Sequence, residues 1–224
     1  LPRLIDLAER YLELDKLDRC HEALEQVRRC MDRLALDESN VLCGRARLLE
    51  LDMQARVLET DGALEQTESF VSDARRYEWE ELIMLGLRRL GDQMRWMGDH
   101  EGANARYIEA FEMATVRGHY GEVSQCSYGL AVNARVQGQF EVARDHLERV
   151  IANETHHPMI PLNIYALLGM GAVEVGSQNE DCAEYWFTRA AQAATELGYA
   201  NLLADALIGL GEIAKGQGDV EGAQ

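Results

Sequence analysis

The chain is a succession of short apolar stripes at helical spacing, cut at intervals by polar or glycine-containing breaks. In the first stripe Leu4, Leu7, Tyr11 and Leu14 recur every three or four residues, the pattern of a helix that buries one face. Asp15-Lys16-Leu17-Asp18 interrupts it, and a second stripe runs through Ala23, Leu24, Val27, Cys30, Met31 and Leu34. The unit predicted is helix, short turn, helix. Asp37-Glu38-Ser39-Asn40 leads into the next unit, with Ser39 or Asn40 suited to cap the helix that follows.

This alternation repeats along the chain. Ala23, Ala63, Ala103, Ala143, Ala183 and Ala223 stand forty residues apart, and self-similarity at such a period marks a solenoid or array. Units are expected over residues 1–38, 41–76, 79–118, 120–153, 161–198 and 200–224, the last of them incomplete. The second is the most degenerate: Arg47, Glu50 and Gln54 fall at offsets that are apolar or small in later units, so its first helix is expected to present a slightly rotated face. Thr60-Asp61-Gly62 reads as the turn and cap before its second helix.

Small residues keep their own register. Gly91, Ala131, Gly171 and Gly211 lie twelve before the alanines, where small is predicted to meet small and a bulky side chain would overpack the helix contact. Gly98, Gly138 and Gly218, five before, suit the positive φ of a tight turn, and in the fifth unit Gln178 takes that place with Gly176 two residues earlier. Gly118 is expected to end its helix in the left-handed conformation.

Leu90-Gly91, Gly98-Asp99, Ala103, Tyr107 and Ala110, and again Met170-Gly171, Ala183, Phe187 and Ala190, give the chain a pattern that resembles the tetratricopeptide repeat. The resemblance implies an all-α fold: a right-handed superhelical solenoid of antiparallel helix hairpins, with about five and a half repeats across the whole chain. The longer forty-residue form is similar to arrays in multidomain bacterial regulators. It also implies that the first helix of each hairpin lines a concave groove. In that groove the third to fifth units would place Arg88, Asp92, Arg95, Trp96, Tyr128, Arg135 and Tyr165.

Composition narrows the partners. At 224 residues, 47% hydrophobic and 27% charged with three prolines, this is a folded, helix-rich chain long enough to bury a sizeable core. A formal charge of -17 opposes phosphate backbones and anionic lipid surfaces, so neither a nucleic acid nor a membrane is expected as partner. The five cysteines are odd in number and form no C-x-x-C pair, which reads as reduced thiols in a cytoplasmic protein. No apolar run approaches the ~20 residues of a membrane span, and no charged-then-apolar leader opens the chain. Because it starts at Leu1 and stops within a unit, we expect a piece of a longer protein, or an end that packs on another copy.

Against this acidic background the arginines of the expected groove are the suggestive feature. Guanidinium forks bind carboxylates bidentately, and Trp96 or Tyr128 can hold an apolar or cationic side chain beside them. The expected ligand is an extended peptide or a helix with acidic character; the competing reading pairs these arginines with the chain's own carboxylates. His156-His157 with Glu154 and His119 lacks the helical i, i+4 spacing of a metal site. Gly169-Met170-Gly171 with Gly176 follows no strand and matches the repeat packing rather than a dinucleotide loop. No catalytic motif appears, and no cofactor or metal is implied. The function expected is a protein- or peptide-binding scaffold within a larger regulator. The alternatives are a small-molecule sensor whose pocket is lined by Trp96, Tyr128 and Tyr165, or a self-association module.

Overall fold

The computed structural model describes residues 1–57, 62–154 and 161–216, and every regular element in them is an α-helix. In chain order these are α1 (Pro2–Glu13), α2 (Leu17–Leu34), α3 (Val41–Val57), α4 (Ala63–Arg76), α5 (Glu80–Trp96), α6 (His100–Arg117), α7 (Tyr120–Val136), α8 (Phe140–Glu154), α9 (Leu162–Gly176), α10 (Glu180–Leu197) and α11 (Ala200–Gly216). They fall into two compact units, Leu1–Gly98 carrying α1 to α5 and Asp99–Gln224 carrying α6 to α11. Gln217-Gly218-Asp219, Ala223, Thr60, Asp61 and His156-His157 lie outside the described residues.

Within each unit consecutive helices pack on one another. Odd-numbered helices also touch their odd-numbered neighbours, α1 with α3 and α3 with α5 in the first unit, α7 with α9 and α9 with α11 in the second. No even-numbered pair does so among the described residues. The odd helices therefore make one layer of each unit, the arrangement of a helix-hairpin solenoid in which each hairpin buries its apolar face on the next.

The alanine register holds only in part. Ala103, Ala143 and Ala183 are fully buried, and each donates its N–H at 3.0 Å to the carbonyl four residues back, on Asp99, Gln139 and Asn179. In α2 that bond comes from Cys20 to Lys16 at 2.9 Å, and Cys20 is the fully buried residue. In α4 the inward position is Thr67, whereas Ala63 is the first residue of the helix and only half-buried. In the first two units the start of the helix does not keep step with the alanine count, although Ala23 is itself buried. Helix α1 has 12 residues against 17 in α5 and α7. Its turn comes early, and packing register follows the start of the helix rather than the residue count.

One of the small residues acts differently from expectation. Gly171 faces the ring of Phe187, not another small side chain: a Cβ on Gly171 would lie 2.7 Å from Phe187 Cε1. Glycines fourteen before the alanine positions matter equally. A Cβ on Gly129 would come within 2.5 Å of Tyr107 Cζ, on Gly169 within 3.0 Å of Leu147, and on Gly209 within 2.7 Å of Phe187. Each receives the large residue of the preceding hairpin's second helix, so large meets absent side chain and the hairpins interlock.

Turns show which glycines carry strain relief. Gly98 and Gly138 have φ of +83° and +73°, as the hairpin turn requires, and Gly118 ends α6 at +70°. Gln178 occupies the same turn position at φ +59° with a side chain. An L-residue there pays about 1–2 kcal/mol, part of which glycine's greater unfolded-state freedom offsets. Gln178→Gly is expected to raise the urea midpoint by the equivalent of about 0.5–1 kcal/mol. Ser177→Gly, one residue earlier at φ -85°, is the control and should not stabilise. Asn40 caps α3 as read, its Oδ1 accepting from Leu42 N at 3.0 Å.

Candidate functional site

Two of the polar residues that set the second hairpin apart, Arg47 and Glu50, are held in ion pairs. Arg47 Nη1 lies 2.5 Å from Asp73 Oδ2 on α4, and Arg28 Nε on α2 donates to Glu50 at 2.7 Å. Glu50 raises the Arg28 pKa through that bond and its charge. Helix α5 is fixed on two neighbours: Arg89 grips Asp52 of α3 with Nε and, at 2.6 Å, with Nη2, and Gln93 Nε2 donates to Thr67 of α4 at 3.0 Å. These contacts orient the face that carries Arg88, Asp92, Arg95 and Trp96.

On that face the four residues differ sharply in exposure. Arg88 is only 9% exposed, and its Nη1 donates to Asp92 Oδ2 at 3.2 Å. Arg95 Nη2 stands 3.8 Å from the other Asp92 oxygen, and its guanidinium lies 5.6 Å above the Trp96 ring. Trp96 itself is 69% exposed at the end of α5, followed by Met97 at 71%. The structure therefore brings Arg88, Asp92, Arg95 and Trp96 together as one chain of contacts, with the aromatic ring as its solvent-facing end.

The remaining expected residues belong to the second unit. Tyr128 on α7 and Tyr165 on α9 have ring centroids 6.1 Å apart, tilted by 49°, and Tyr165 is solvent-facing. Arg135 is exposed near the end of α7 beside the exposed Val136. Beneath this face Asn133 is fully buried, donating to Asn104 Oδ1 at 2.8 Å with His100 Nδ1 3.1 Å from its own Oδ1, so α7 is pinned to α6.

Several residues of consequence carried no signal in the sequence. Glu174 is buried, its Oε1 accepting from Arg144 Nε at 2.9 Å and its Oε2 from Asn179 Nδ2 at 3.1 Å. Glu174 and then Glu141 push the Arg144 pKa upward. Burial pulls the His146 pKa below 6.5, with Arg149 adding to the effect. Among the described residues no group of three or more His, Cys, Asp or Glu is placed to hold a metal ion, and no helix is long and apolar enough to cross a membrane.

Comparison with known proteins supports the class that this architecture defines, an all-α helix-hairpin solenoid of tetratricopeptide type. No family model matches the sequence, and no curated protein does. Solved structures do match. A signal transduction ATPase with numerous domains and a tetratricopeptide repeat sensor, from Pyrococcus horikoshii, superimposes over 98% of this chain with a TM-score of 0.71 at 18% identity. This chain spans 34% of that protein's length. PilW, a type IV pilus biogenesis factor, matches over 99% of this chain and 88% of its own, with a TM-score of 0.69 and 20% identity. The Rap conjugation gene regulator of plasmid pLS20, in complex with the Phr* peptide, matches over 99% of this chain and 60% of its own, with a TM-score of 0.58 and 14% identity. At these identities the likeness is one of fold.

Proposed function

We propose that the chain is a non-catalytic recognition scaffold that holds a protein or peptide partner on the exposed faces of its odd-numbered helices. The observation that carries this reading is the pair of solvent-facing aromatic features there: Trp96 with Arg95 stacked on it in the first unit, and Tyr165 against Tyr128 in the second. Exposed aromatic rings beside an arginine are the residues that dominate recognition surfaces. The peptide named with the pLS20 regulator is consistent with a peptide ligand. An acidic partner is favoured by Arg95 and by Arg135, which among the described residues has no ion pair. A setting in a cytoplasmic bacterial regulator is the wider proposal.

The test is selection of binders from a displayed peptide library, followed by titration against variants. Trp96→Ala and Tyr165→Ala remove exposed side chains, so the thermal midpoint should hardly move while affinity for the selected peptides falls about tenfold or more, the behaviour of an aromatic anchor worth ~1.4 kcal/mol or above. Arg135→Glu should weaken acidic peptides selectively. If every selected peptide binds all three variants as well as the parent chain, these faces are not the recognition surface. Arg88→Ala is a poor probe, because a residue 9% exposed and bonded to Asp92 answers for stability.

A further inference from the structure

In the first unit a cavity of about 490 Å³ opens where the end of α2 and the loop after it meet the first half of α3 and the end of α4. The apolar and aromatic part of its lining is made by Met31, Leu36, Gly44, Tyr77 and Trp79. Trp79 is fixed on two sides. Its Nε1–H donates to the Ser39 carbonyl at 3.0 Å, and its ring lies so close over Gly44 that any Cβ there would overlap it. Tyr77 stands beside it, with ring centroids 5.0 Å apart.

The charged lining is unbalanced. Among the lining residues Asp32, Glu38 and Asp73 are acidic and Arg47 is basic. Arg47 is committed: it holds Asp73 at 2.5 Å, donates to Ser69 Oγ at 3.2 Å and lies 5.7 Å from the Phe70 ring. Asp32 and Glu38 are exposed, and among the described residues neither has an ion pair. The negative field reaches the Cys43 thiol, whose pKa is pushed up by burial and further by Asp37 and Glu38.

We propose that this cavity binds an organic cation, an ammonium or guanidinium group carried on an apolar stem, with the stem against Trp79 and Met31 and the charge at Asp32 and Glu38. The volume lies within the few hundred Å³ usual for ligand sites. Aromatic faces and carboxylates both attract cations, and Arg76 already lies 5.6 Å over the Tyr77 ring in this way. An anion would meet two uncompensated carboxylates, with Arg47 already taken by Asp73. A neutral apolar ligand would bring those carboxylates out of water with no partner. The site uses none of the residues of the recognition faces above.

The experiment follows the Trp79 indole N–H signal by NMR in the full chain, titrated with n-butylammonium, the neutral and slightly longer alcohol 1-pentanol, and the tripeptide Gly-Lys-Gly. The cation should shift the signal saturably and 1-pentanol should not. The double variant Asp32→Asn, Glu38→Gln changes only exposed groups and should weaken n-butylammonium about tenfold, roughly 1.4 kcal/mol. Tighter binding of the tripeptide than of n-butylammonium assigns the cation to a peptide side chain, and the reverse assigns it to a free amine; either supports the site. Equal binding of 1-pentanol, an unchanged affinity in the double variant, or a Trp79 signal that no probe moves overturns it.

Discussion

Phe187→Ala is expected to destabilise the second unit by about 3–5 kcal/mol, among the larger costs a single core substitution produces. The ring is 7% exposed and lies against two glycines on different helices, Gly171 of α9 and Gly209 of α11. Removing it leaves a void that two helix backbones line, and backbone cannot relax into it as side chains do. The reciprocal change has the same basis. A Cβ on either glycine would lie 2.7 Å from the ring, and a rigid ring wedged between helices cannot yield, so Gly171→Ala or Gly209→Ala should cost about 1–3 kcal/mol. In urea denaturation, Gly171→Ala combined with Phe187→Leu should cost less than the sum of the two singles, because the smaller side chain makes room for the new methyl. Additive costs would mean that Phe187 and Gly171 are not wedged together.

Glu174→Ala is the second large loss, expected at about 3 kcal/mol. The Glu174 side chain is 5% exposed and joins Arg144 of α8 to Asn179 at the turn before α10. Alanine would leave a guanidinium and an amide facing an empty buried position, the costly way to break such a pair. Arg144 is 22% exposed and keeps Glu141 at 2.6 Å, which holds the loss below the ~5 kcal/mol of a fully enclosed charge. Replacing both partners, as Glu174→Leu with Arg144→Leu, should be less damaging than Glu174→Ala alone. If the double replacement proves the worse of the two, the ion pair contributes net stability and the desolvation argument fails.

The hairpins were legible because their signals are local. The stripe from Leu4 to Leu14, its break at Asp15 and the second stripe from Ala23 to Leu34 need only helical periodicity, and α1 and α2 follow it. Gly98 and Gly138 were readable as turn residues for the same reason, since positive φ is a property of one residue. Register was not local. Ala23 shares a spacing with Ala103 by count and is buried, yet the bond that Ala103 makes at the start of its helix is made by Cys20, since the turn of the first hairpin comes early. The candidate site divides along the same line. Trp96 and Tyr165, expected in the groove, are solvent-facing, while Arg88, expected there too, lies buried against Asp92.

The sequence by itself determined that this is an all-α chain of stacked hairpins. Apolar spacing, breaks and turn glycines act within a dozen residues and point to one answer. Only the tertiary structure decided what those residues meet. Gly209 meets the ring of Phe187 and Glu174 the guanidinium of Arg144, 30 residues away, and the cavity beside Trp79 gathers residues from three helices and the loops that follow α2 and α4. Such pairings depend on where helices start and how they stack, which periodicity along one helix does not encode.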